Sequence, residues 1–436
     1  MPLSNVQAAV LPAADSIDAA YRKVIWRLIP FLCFCYLASY LDRINVGFAK
    51  LQMLDHLHLS ETAYGLGAGL FFVGYILFEV PSNLVLEKVG ARLWIARIMI
   101  SWGLLSGLTM FVTQQWQFHT LRFLLGAAEA GFLPGVLYYL SQWFPSWRRS
   151  RIIALFMIGL PLSSLVGSPI SGWIMGHFNG ASGLAGWQWL FLLEAVPTVV
   201  LGFVCIAVLP DNIGKAPWLS ADEKQRLQGI LADDEQQNPG GHSFRDGFFD
   251  IRVWMLGGID FSILLSAYAM GFWLPTFIRN AGVNDPQQIG LLVALPSLAG
   301  LVGMLAIGAS SDKHRERRWH IVVPFLVGAA AMFLSTFVTH NVAMTVLLFS
   351  LASLAIIGAV PVFFSLPATF LKGTAAATGF ALACSVANIA GLVSNSLMGV
   401  VMDHFHSPQI ALWIFAGCLL LSCLLVLGLP AKTVNR

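Results

Sequence analysis

The sequence predicts an all-α membrane protein with twelve transmembrane helices in two six-helix halves and both termini cytoplasmic. Three observations carry this expectation. Of the 436 residues, 57% are hydrophobic and 11% charged, against about 25% charged in an ordinary soluble domain. Twelve segments reach the ~20 mostly apolar residues needed to span a bilayer, and the short alternating segments of a β-barrel are missing. With the N-terminus inside, 21 of the 25 basic residues fall on the cytoplasmic side, as the positive-inside rule requires.

The segments are 24–49, 62–86, 92–112, 118–141, 150–176, 187–209, 251–279, 286–310, 319–338, 342–368, 373–402 and 408–429. They divide the chain into a cytoplasmic N-terminal stretch (1–23), a six-helix bundle (24–209), a cytoplasmic linker (210–250), a second bundle (251–429) and a short tail (430–436). Residues 1–20 hold Asp15 and Asp18 and no basic n-region, so segment 1 is expected to act as an uncleaved anchor. In the linker, Ser220 and Glu223 form a capping box that opens a helix to about Ala232. Its apolar residues Trp218, Leu227, Ile230 and Leu231 suit either an amphipathic helix on the membrane surface or an exposed connector. Pro134, Pro161, Pro169, Pro197, Pro275, Pro296, Pro361, Pro367 and Gly131 interrupt the segments; kinks there suit a rocking bundle, and small residues also suit close helix packing.

The halves repeat each other. Glu87-Lys88, Arg92 and Trp94 recur as Asp312-Lys313, Arg317 and Trp319 at an offset of 225, and Gly172, Met175, His177 and Phe178 recur as Gly399, Met402, His404 and Phe405 at 227. A duplicated six-helix unit around a linker is the plan of transporters with a central site open alternately to either side.

Charges inside the segments mark candidate chemistry, because one charged side chain at the bilayer centre costs roughly 2.5–3.5 kcal/mol on insertion scales. Seven stand out: Asp42, Arg43, Glu79, Arg122, Glu129, Glu194 and Asp260. The helical rise places Asp42 and Arg43 ~10 Å and Arg122 ~12 Å outside the midplane, with Glu129 close to it. Asp42 is therefore expected to pair with Arg122. Glu129, left without a cation, becomes a site that takes up and releases a proton. Arg43, left free, suits a carboxylate ligand, with Arg122 as a second substrate contact beside its pairing to Asp42. Arg122, Gly126 and Glu129 share a helix face. Tyr40, one turn below Arg43, and Tyr75 and Asn388 offer hydroxyl and amide groups to a substrate. Glu79 is expected to pair with Arg97, and Glu194 to snorkel at the outer end of segment 6. Asp260 belongs either to the site or to a cytoplasmic gate. The six cysteines all lie within segments and read as packing residues. With no metal-ligand cluster or nucleophile–base set in the segments, an enzyme is not expected.

The stretches Leu41–Ala49, Gly74–Asn83, Arg122–Gly135 and Gly186–Glu194 resemble signatures of the anion:cation symporter family within the major facilitator superfamily, in the branch of tartrate, hydroxyphenylacetate and nicotinate-type carriers. The resemblance spans the chain. It implies proton-coupled import of a small organic anion across the cell inner membrane. By motif position, Arg43 contacts the substrate carboxylate, Asp42 and Glu129 carry protons, and Asn388 joins the site. The proton is the coupling ion, with no other cofactor and no metal. Expected partners are the anion, protons and the lipid bilayer, with no nucleic acid, and the expected state is a monomer. Two motifs depart from the superfamily: Asn83–Gly90 lacks the usual start of the loop after segment 2, and Gly167-Ser168-Pro169…Gly172 matches the drug-antiporter pattern only in part. The rival readings are an efflux antiporter of the same fold and a transporter-like sensor, for which a linker of ~40 residues leaves little room. One free arginine among aromatics favours a monocarboxylate; two available arginines suit a dicarboxylate such as tartrate.

Overall fold

A computed structural model of the chain describes residues 13–237, 251–366 and 373–435. The described residues are helical, with no strands. Among the described residues, eleven helical stretches are long and apolar enough to cross a membrane, and Trp319–Ser335 is a shorter apolar helix between two of them. The molecule is a multi-pass membrane protein of the expected fold class.

Before the linker come α1 (Ala13–Leu57), α2 (Glu61–Val89), α3 (Ala91–Leu108), the pair α4 (Gln115–Glu129) and α5 (Phe132–Ser141), the pair α6 (Ser146–Met157) and α7 (Gly159–His177), and α8 (Gly186–Val208). The linker carries α9 (Ala221–Gln237). After it come α10 (Ile251–Asn280), α11 (Pro286–His314), α12 (Trp319–Ser335), the pair α13 (Val342–Gly358) and α14 (Val360–Ser365), α15 (Gly373–Phe405) and α16 (Gln409–Gly428). Three of the expected interruptions are real breaks: at Gly131, ahead of Pro161, and at Ala359 ahead of Pro361. Gly131 has φ +87°, and a Cβ there would meet the Ser82 hydroxyl at 2.3 Å, so this break admits only glycine. Pro169, Pro197, Pro275 and Pro296 lie within continuous helices. Pro367 and the linker beyond residue 237 fall outside the described residues.

The linker helix follows its capping box: Ser220 N–H donates to Glu223 Oε2 at 2.8 Å and Glu223 N–H to the Ser220 hydroxyl at 3.2 Å. Its apolar side does not face lipid. Leu227 is buried, Trp218 stacks on Trp143, and Lys23 of α1 bonds Glu223 at 2.6 Å. The hydrogen bond from Lys23 holds the Glu223 carboxyl below its ordinary value. The helix is thus a latch on the first half, because packing apolar residues on protein and closing an ion pair outweighs leaving them at the interface.

Across the halves, α2 packs along α15 and α7 along α11, with α1 against α10. Glycines permit this approach. A Cβ on Gly65 would lie 2.4 Å from the Asn395 carbonyl oxygen, and one on Gly290 2.4 Å from that of Ser168. Hydrogen bonds between the halves gather at the end opposite the termini. Asp403 caps the first turn of α2, accepting from Glu61 N–H at 3.0 Å and Thr62 N–H at 2.7 Å, and Arg279 donates to the Leu51 carbonyl at 2.6 Å. Lys50 is the hub. It follows directly on segment 24–49, where a lysine is expected to reach water outside the membrane, but it is 3% exposed. Its ammonium meets Glu61 at 2.6 Å and the Thr276 hydroxyl at 3.2 Å and lies 3.8 Å from the Trp273 ring centre. The hydropathy boundary missed it because these partners come from other helices.

The halves therefore meet at this end, where Lys50 reaches the second half through the Thr276 hydroxyl and the Trp273 ring. As a contact between the halves, Lys50 is tested by Lys50→Met, which should raise far-side labelling of a cysteine placed at Leu392, which packs against Gly69 across the halves, by about tenfold, since it removes one hydrogen bond and one cation–π contact between them, each worth about 1 kcal/mol. Unchanged labelling would remove Lys50 from this role.

Candidate functional site

The four charges that the sequence singled out on segments 1 and 4 do lie together in the core of the first half, but their pairing differs from expectation. Arg43 is not free: its guanidinium is ion-paired with Glu129, which also accepts from the Ser39 hydroxyl at 2.9 Å. Ser39 and Arg43 are four apart and share one face of α1, so both reach the carboxylate at the end of α4. Asp42 does not pair with Arg122. It is 2% exposed and accepts hydrogen bonds from Trp102 Nε1 at 2.8 Å, Ser106 at 3.0 Å and Thr198 at 2.9 Å. Arg122, at 1% exposure, is the guanidinium left over: none of its nitrogens has a hydrogen-bond partner among the described residues.

The reason is rotational. Depth along a helix follows from residue number, but which neighbour a side chain meets depends on its azimuth, which changes by about 100° per residue. Asp42 and Asn45 point from α1 toward α3 and α8, whereas Ser39 and Arg43 point toward α4. Glycines bring α4 against α2: a Cβ at Gly126 would fall 1.9 Å from the Phe71 carbonyl oxygen, and one at Gly74 2.1 Å from that of Phe123. This contact sets Phe71 between the cations, its ring centre 5.1 Å from Arg43 Cζ and 5.0 Å from Arg122 Cζ.

Tyr40 and Tyr75 join the cluster as expected, with ring centres 6.0 and 5.3 Å from Arg43 Cζ. Tyr268 of α10, which the sequence did not mark, meets the Arg43 guanidinium from the other half and packs on Phe72 at 4.5 Å between ring centres. Asn388 lies half-buried on α15, about one turn from Gly391, whose backbone abuts Phe72; no hydrogen bond joins it to the arginines. Phe71 and Ser39 were legible in principle, each spaced four residues from a chosen residue, Tyr75 and Arg43.

The remaining charges resolve differently. Arg97 does not pair with Glu79; it lies 3.8 Å over the Trp94 ring and bonds Ser101. The aromatic face one turn away offers a nearer partner than a carboxylate on another helix. Glu194 does not snorkel: it is 5% exposed and bonded to Asn45 and Ser171. Asp260, 4% exposed, accepts from Cys384 of α15.

The sequence profile of the Major Facilitator Superfamily matches residues 32–394. Among relatives, a Pseudomonas putida protein bearing the name of a metabolite transport protein, NicT, is 71% identical over 437 residues, covering 100% of both chains. An Agrobacterium vitis protein named as a tartrate transporter is 44% identical over 95% of this chain and 96% of its own. An Acinetobacter baumannii quinolone resistance transporter is 39% identical over 94% and 95%. Among solved structures, the xylose transporter XylE from E. coli, in a partially occluded inward-open conformation, superimposes with a TM-score of 0.73 at 12% identity, covering 93% of this chain and 98% of that one. The chain belongs to the Major Facilitator Superfamily and is a membrane transporter, not an enzyme.

Proposed function

We propose that the protein imports a small organic carboxylate across the cell inner membrane by proton symport, through alternating access. The observation that carries this reading is Arg122, a fully buried guanidinium without a hydrogen-bond partner among the described residues. It stands across one aromatic ring from Arg43, which a carboxylate already holds. A buried cation without a partner is costly, and a substrate carboxylate fits its planar fork. When Glu129 takes a proton, its hold on Arg43 weakens and that guanidinium turns to the substrate. Proton and anion then enter together, and for a monocarboxylate their charges cancel, so the loaded core rocks without added net charge. Asp42, held by neutral donors alone, is the second proton site. Tyr40, Tyr75 and Tyr268 line the substrate, with Asn388 reaching it from the second half. A relative named for tartrate transport supports a carboxylate, and the two arginines suit a dicarboxylate when both are engaged.

The test is uptake into right-side-out vesicles with an imposed inward proton gradient, across tartrate, hydroxyphenylacetate, nicotinate, phthalate and sugar acids. At least one should accumulate, and collapse of the proton gradient should abolish accumulation. Failure of all of them to accumulate would count against the reading. The relative named for quinolone resistance favours a second reading, proton-coupled efflux; in that case, inside-out vesicles acidified within would accumulate a quinolone.

A further inference from the structure

Behind the arginine cluster lies a second buried acidic site that proton symport through Asp42 and Glu129 does not use. Helix α8 presents Glu194 and, one turn on, Thr198. Helix α1 meets them with Asn45 and Asp42, three residues apart on one face. Glu194 is 5% exposed, and its carboxylate accepts from Asn45 Nδ2 at 3.0 Å and the Ser171 hydroxyl at 2.6 Å, both neutral donors.

No cation faces it among the described residues. From α1 the neighbouring titratable group is Asp42, itself an acid. From α3 come Trp102 and Ser106, both bonded to Asp42, while Arg97 lies toward the terminal end over Trp94. From α7 comes Ser171, with His177 at the far end beside Trp173.

The hydrogen-bond count is also short. Asn45 is fully buried and its Oδ1 has no donor. Turning the amide over does not repair this: Oδ1 would then face a carboxylate oxygen, two acceptors with nothing between them. With the amide turned over, a carboxylic O–H on Glu194 would donate to Oδ1 in place of the bond that Nδ2 makes to the carboxylate.

We propose that Glu194 is a proton-binding site whose proton is shared with the Asn45 amide, leaving Asp42 as the single negative charge at the contact of α1 and α8. Two adjacent ionised carboxylates without a cation would be prohibitive in this setting. One proton on Glu194 removes the second charge.

Infrared difference spectroscopy on the purified full chain in lipid, at neutral pH and without substrate, tests this independently of transport. Wild type should carry a carboxylic-acid C=O band, shifted in heavy water, that is lost in Glu194→Gln and kept in Glu129→Gln. Absence of a band lost in Glu194→Gln overturns the proposal. Asn45→Leu gives a second readout should that variant fail to fold: removing the shared partner should move the band to higher frequency, and an unmoved band overturns the sharing. As a neutral mimic of the protonated acid, Glu194→Gln should also keep uptake within about twofold of wild type with the same pH profile, whereas a folded variant with uptake down about tenfold or more would show that the ionised form is required.

Discussion

Arg122→Met is expected to weaken substrate binding about a hundredfold while leaving the folded protein at least as stable as wild type. These two effects usually oppose each other for a buried charge. Removing one partner of a buried ion pair costs roughly 3–5 kcal/mol, because the other charge is left uncompensated. Arg122 has no such partner: it is 1% exposed, its three nitrogens are unpaired among the described residues, and its nearest support is the face of Phe71. Methionine has similar length, needs no hydrogen bonds and relieves the cost of an unpaired cation. A substrate carboxylate would lose charge-assisted bonds worth about 1.5–3 kcal/mol each, which at the upper end is about a hundredfold. Thermal unfolding and substrate-induced thermal shift, on the same purified variants, read both effects. A variant that unfolds earlier yet binds normally would make Arg122 a structural residue and sink the binding role.

Glu129→Gln is expected to abolish accumulation against a gradient while counterflow exchange persists. The carboxylate holds Arg43 at 2% side-chain exposure, against 14% for the arginine. The amide keeps the shape and still accepts from Ser39, but it neither attracts the guanidinium as strongly nor takes up a proton. Arg43 then stays available to the substrate at every pH, so the loaded and empty carriers reorient without a proton and the pH dependence of exchange flattens. Arg43→Met should act oppositely on stability, since it leaves Glu129 uncompensated. Adding Glu129→Gln to Arg43→Met should restore part of that loss, giving a coupling of about 0.5–3 kcal/mol in the double-mutant cycle. Accumulation surviving in Glu129→Gln would move the coupling proton elsewhere.

The parts of the site legible in the sequence were the ones that hydropathy alone constrains. A charge inside an apolar segment is conspicuous, so Asp42, Arg43, Arg122, Glu129, Glu194 and Asp260 all stand out from their neighbours along the chain. The spacing of Tyr40 from Arg43 was enough to place that ring in the cluster. Lys50 escaped because it stands at the end of its apolar segment, where a lysine ordinarily reaches water; only the closure of α10 over it makes it buried. Tyr268 escaped because nothing in the second half marks which of its aromatic residues will meet helix α1.

By itself the sequence determined the class and the list of membrane-embedded charges, both of which depend on composition and position along each helix. The tertiary structure decided who partners whom. Arg43 took Glu129, Asp42 took Trp102, Ser106 and Thr198, and Arg122 was left without a hydrogen-bond partner among the described residues. Those outcomes turn on helix rotation and on how closely Gly74 and Gly126 let α2 and α4 approach, quantities fixed only when the helices pack against one another.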